Sequence, residues 1–167
     1  DSSNPNIVYS VLPEWLEEIE RDFSHPSLIG WCPTNETWDK HGRQQSELFL
    51  DTIYDVTKVI DKTRPVITTS GSYPTKRTDV HDVHDYEQDP VIFKENYSKI
   101  KEGFINDQLM RMNPHRQRFN PALPVFVSEY GGVGWIADKD GSAWAYGKAV
   151  KDEDEFFYRL KGLTDAL

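Results

Sequence analysis

Two glutamates, Glu36 and Glu129, each stand just beyond a short apolar segment: Leu28-Ile29-Gly30-Trp31-Cys32-Pro33 before the first, Val125-Phe126-Val127-Ser128 before the second. Apolar runs this short, with no helical period, read as strands buried on both faces, as parallel sheets require. The C-terminal ends of such strands form the rim where α/β folds build active sites. An unpaired buried charge is costly, so two carboxylates on one rim suggest a dyad. Such a pair can divide covalent work, one carboxylate attacking a carbon centre while the other protonates the leaving oxygen and then deprotonates water. In glycosidic cleavage with retention the two carboxyl groups stand about 5 Å apart. Position alone is equally consistent with two solvated loop glutamates.

Further polar and aromatic residues cluster around these two. Asn35 precedes Glu36 and would otherwise read as a turn cap. His81-x-x-His84, with Asp82, Asp85 and Tyr86, occupies another extended segment. On a strand His81 and His84 face opposite sides, which makes a shared metal geometrically poor, so no metal or cofactor is expected. Trp38 and Trp135 follow the two glutamates and offer flat surfaces suited to pyranose faces, or to ordinary packing. Gly131-Gly132-Val133-Gly134 is the one candidate phosphate loop, but no clear helix follows it, which weighs against a flavodoxin-like or Rossmann domain. Asn35-Glu36-Thr37 and Asn96-Tyr97-Ser98 match glycosylation sequons; both are discounted, since a glycan at the first would block the proposed site.

The elements that must position these residues follow from periodicity. Pro13 to Phe23 carries apolar residues at helical spacing behind an initiating proline, and Arg43 to Asp61 places Leu48, Phe49, Ile53, Val56 and Ile60 on one face. Arg64 to Gly71 and Asp79 to His84 read as strands. Asp89-Pro90 caps a third helix running to about Met112, Leu123 to Ser128 is the fourth strand, and Asp152-x-x-Glu155 boxes a last helix to about Leu163. Strands alternating with helices imply an α/β fold with right-handed crossovers and a mostly parallel sheet.

Composition narrows the partners. With 37% hydrophobic residues the 167-residue chain can build a core, and its net charge of −9 argues against nucleic acid, which demands a concentrated basic face. No apolar run is long enough to span a membrane, and Cys32 alone cannot form an internal disulfide. The first residue is Asp rather than Met, from which a processed or excised piece of a longer protein is expected.

His25-Pro26-Ser27 through Asn35-Glu36 resembles the acid/base segment of glycoside hydrolase family 2, and Pro124 through Glu129-Tyr130-Gly131-Gly132 is similar to that family's nucleophile strand. The resemblance implies a partial (β/α)8 TIM barrel, roughly strands four to seven, in a retaining β-glycosidase acting on terminal β-linked sugars such as β-galactosides. It implies Glu129 as nucleophile and Glu36 as general acid/base. It also implies Asn35 on the sugar 2-hydroxyl, Tyr86 as the strand-six tyrosine on the nucleophile, and His84 as a substrate contact. A complete barrel of this kind needs about 250 residues, so strands one to three and eight are expected to be missing, the fragment to be a poor catalyst, and its open edges to favour self-association. A cellulase or mannanase of the same barrel type, and a non-catalytic sugar-binding fragment, are the alternatives.

Overall fold

Helix α1 begins earlier than its proline suggests. In the computed structural model, which describes residue 4 and residues 6–37, 44–106, 119–135 and 144–167, α1 spans Ile7–Asp22 with Pro13 inside it. A proline there removes one backbone donor. The turn ahead of it compensates by packing Ile7, Val11 and Leu12 against the core cluster of Trp15, Ile19, Trp31, Phe49, Leu50, Ile53 and Val66. Helix α2, Glu47–Ile60, is capped by the Ser46 side chain and buries Phe49, Leu50, Ile53 and Thr57; of the face expected from the sequence Phe49 and Ile53 are buried, whereas Leu48 and Ile60 are exposed and Leu50 takes a core place instead. The Trp15 and Trp31 rings meet edge to face, 5.7 Å apart, and their indole nitrogens donate to Thr57 and Asp61, both at 2.8 Å.

Two of the four expected strands form as regular strands: β1, His81–Asp85, and β2, Val125–Tyr130, which pair in parallel. The segments around Trp31 and Val66 instead make isolated parallel bridges, Trp31 with Val66 and Asn35 with Ser70, at the same offset along the chain. The hydrogen-bonding phase changes between them, Trp31 being the doubly bonded residue in the first bridge and Ser70 in the second. The pairing therefore does not run on as one regular ladder, and Pro33 between them has no N–H to contribute. Arg64 fastens the start of this region. Its guanidinium donates to the carbonyls of Leu28, Phe23 and His25 and pairs with Asp61 at 2.7 Å.

Helix α3, Pro90–Tyr97, is far shorter than the helix expected to reach Met112. A single 3-10 turn, Ile100–Glu102, follows and closes on Gly103 in the left-handed conformation. Residues 107–118, which include the rest of that expected helix, lie outside the described residues. Helix α4, Glu153–Asp165, starts as predicted: Asp152 accepts from the Glu155 amide at 2.8 Å, and the Glu155 carboxylate accepts from the Lys151 amide at 3.0 Å. The chain divides into two compact units, Asp1–Val83 with Ala122–Phe126, and His84–Pro121 with Val127–Leu167.

Candidate active site

In the first unit the bridge between Asn35 and Ser70 delivers Glu36 with its backbone held. The Glu36 amide donates to the Ser70 carbonyl at 2.8 Å, and the Ser70 amide donates to Thr34 at 2.9 Å. Glu36 has φ 47°, the only positive φ of any non-glycine residue among the described residues. For an L-residue that conformation costs about 1 kcal/mol or more, and such strain persists only where the surroundings enforce it. Here they do. The Thr37 hydroxyl sits between Gln45 (2.8 Å) and Thr69 (2.9 Å), and Ser72 donates to the Thr37 carbonyl at 2.6 Å. Beside them Asp82 accepts from the Gly71 amide (2.8 Å) and the Ser70 hydroxyl (3.0 Å). Asn35 is exposed and Glu36 half-buried, so both side chains are accessible to a ligand.

In the second unit Glu129 is the penultimate residue of β2, with its side chain 44% exposed. The Tyr86 hydroxyl donates to its Oε2, and His84 Nε2 lies 3.4 Å from its Oε1. His84 is buried, the preceding part of β1 being buried throughout. Burial, and then the hydrogen bond to Glu129, hold the Tyr86 phenol well above its ordinary pKa, so it remains a donor. Asp85 is not a candidate for chemistry. It is fully buried and accepts from Asn96 (2.9 Å), Tyr97 (3.0 Å) and the Glu87 amide (3.0 Å), which ties β1 to α3. The same contact buries Asn96 and leaves its sequon without an accessible amide.

Tyr86 and His84, singled out from the sequence, thus converge on Glu129. Trp135 is half-exposed and packs edge to face on Phe156 of α4, 5.7 Å away. Trp38 lies outside the described residues. Several supporting residues escaped the sequence reading. Gln45, Ser70 and Ser72 brace the Glu36 backbone together with Asp82, which the sequence groups with the histidines, while Gln88 donates to the carbonyls of Tyr86 (3.0 Å) and Gly131 (2.6 Å). Tyr146 stacks on Tyr86. The polar types of the first group carry no spacing signal, since their partners are distant in sequence.

A carboxylate with one phenol donor and one imidazole beside it is restrained in orientation yet open on one side, as a nucleophile must be. A half-buried carboxyl group on a strained, braced backbone suits a proton donor held in place. The family model for glycosyl hydrolases family 2, TIM barrel domain, matches residues 1–157. No curated protein matches the chain.

Proposed function

Because the chain belongs to glycosyl hydrolase family 2, through its TIM barrel domain, we propose that it carries both catalytic carboxylates of a retaining β-glycosidase, on what would be barrel strands four to seven. Glu129 attacks the anomeric carbon as Glu36 protonates the departing glycosidic oxygen, giving a covalent glycosyl-enzyme. Glu36, now a carboxylate, takes a proton from water, which attacks the same carbon and releases Glu129. The two inversions leave a β-configured product.

The observation that carries this reading is the Tyr86 hydrogen bond to Glu129. It fixes Oε2 and, with His84 beside Oε1, orients a carboxylate whose exposed side stays open for attack. Asn35 is assigned to the sugar 2-hydroxyl, where contacts strengthen as the oxocarbenium-like transition state forms. Terminal β-galactosides are the favoured substrates.

The test is trapping with a 2-deoxy-2-fluoro-β-galactosyl fluoride followed by peptide mass spectrometry. A label on Glu129, and β-anomeric product in the first NMR spectra of turnover, support the proposal. A label on another carboxylate, or an α-anomeric first product, overturns it. A panel of aryl β-glycosides then decides the sugar.

A further inference from the structure

Tyr86 is held from two directions by residues that the mechanism above does not use. Its ring lies flat on Tyr146, with centroids 3.6 Å apart and planes within 8°. Its backbone carbonyl accepts from Gln88, whose amide group also donates to Gly131, two residues beyond Glu129. The segment Trp144 to Gly147 that carries Tyr146 is docked on the chain just after β2. Val133 and Tyr146 form a parallel bridge, the Tyr146 amide donates to Gly132 at 3.2 Å, and the Val150 amide donates to Gly134 at 3.0 Å.

Three glycines make room for this docking. A Cβ at Gly132 would lie 2.5 Å from the Tyr146 ring, one at Gly134 2.4 Å from Ala145, and one at Gly147 2.8 Å from Gln88. Gly132 and Gly147 also have φ of 61° and 68°, which any side chain would strain. The glycine cluster that superficially resembles a phosphate loop is thus the seat of a strap.

We propose that this strap is a positioning device for the nucleophile, with Tyr146 as its contact residue. By stacking on Tyr86 it holds the phenol hydroxyl on Glu129 Oε2, while Gln88 locks the backbones of Tyr86 and Gly131 to each other. The Tyr146 hydroxyl also hydrogen-bonds the Tyr86 phenol, but the flat stack holds the ring plane itself, so the aromatic face carries most of the positioning. The inference rests on Glu129 as nucleophile and extends that reading to residues that act on it through Tyr86.

The experiment uses the full-length enzyme with Tyr146→Ala and Tyr146→Phe. Rates of fluorosugar trapping and steady-state kcat and KM are measured, and thermal unfolding verifies that both variants are folded. Tyr146→Ala is expected to slow trapping and lower kcat by about ten- to a hundredfold, the range for a displaced catalytic group, with KM changed less than threefold. Tyr146→Phe is expected to restore both to within about threefold. Gly132→Ala, which drives the strap off its seat, should reproduce the Tyr146→Ala pattern. Trapping by Tyr146→Ala at the wild-type rate, or no rescue by Phe, would overturn the proposal. Failure of the wild-type enzyme to label at Glu129 would instead remove the reading of function beneath it.

Discussion

The Tyr86 hydroxyl donates to Oε2 of Glu129, joining the residue that follows β1 to the end of β2. Hydrogen bonds to a charged group contribute more than neutral ones, about 1.5–3 kcal/mol, and this one orients a carboxylate that is otherwise 44% exposed. Tyr86→Phe should therefore lower kcat by about 10- to 100-fold with little change in unfolding temperature. Since the phenol pKa is raised by burial and by Glu129, the donor stays protonated through the alkaline range. The wild-type rate should then show no alkaline limb belonging to Tyr86 below the ordinary phenol pKa of about 10. Steady-state kinetics across pH, for the wild type and Tyr86→Phe, check both statements.

Glu36 presents a trade between stability and function. Its left-handed backbone, at φ 47°, suits glycine better than glutamate. Glu36→Gly should raise unfolding stability by about 1 kcal/mol while removing the proposed general acid. Activity should fall on the order of 10²- to 10⁴-fold for alkyl glycosides and much less for aryl glycosides whose leaving groups need no proton. Denaturant melts together with a leaving-group series test the pair of effects. A destabilised Glu36→Gly would show that the strain is not stored there.

Asp61 governs the stability of the first unit. Burial alone would raise its pKa, but hydrogen bonds from Thr63, Arg64 and Trp31 more than offset this and hold it well below the usual carboxylate range. A depressed folded-state pKa gives stability that is present above the unfolded value, about 4, and lost as pH falls below it toward the folded value. Asp61→Asn should cost about 3 kcal/mol at pH 7, because it leaves Arg64 and the Trp31 N–H without their anion. The gap to wild type should narrow progressively below pH 4 in urea melts.

Tyr54 gives the opposite sign. Its phenol donates to Asp79 at 2.7 Å, and burial followed by that hydrogen bond pushes its pKa up to about 12. A raised folded-state pKa gives stability that is whole below the unfolded value near 10 and declines as pH rises from there toward about 12. Tyr54→Phe should cost about 1 kcal/mol at neutral pH and flatten this alkaline decline, which stability measurements between pH 8 and 12 would reveal.

The elements legible in the sequence were those carried by local signals. α2 was visible in the spacing of Phe49 and Ile53, the start of α4 in Asp152 and Glu155, and β2 in its apolar run closed by Glu129. The start of α1 was hidden because a proline usually opens a helix, whereas here the apolar residues before Pro13 find a core to pack on. The pairing beside Asn35 looked like continuous strands, since apolar content cannot report that the hydrogen-bonding phase changes and that Pro33 withholds a donor. α3 stops at Tyr97, and the 3-10 turn that follows it closes on Gly103, a backbone choice with no period.

By itself the sequence determined which carboxylates deserved attention and which family's motifs surround them, because strand ends and the short motifs around Glu36 and Glu129 are local patterns. Only the tertiary structure decided what holds each in place. The strain at Glu36, the brace of Gln45, Thr69 and Ser72, the phenol on Glu129 and the Tyr146 strap seated on its glycines all join residues far apart along the chain. Such contacts are set by packing and hydrogen-bond geometry in three dimensions, which single-residue propensities and short spacings do not encode.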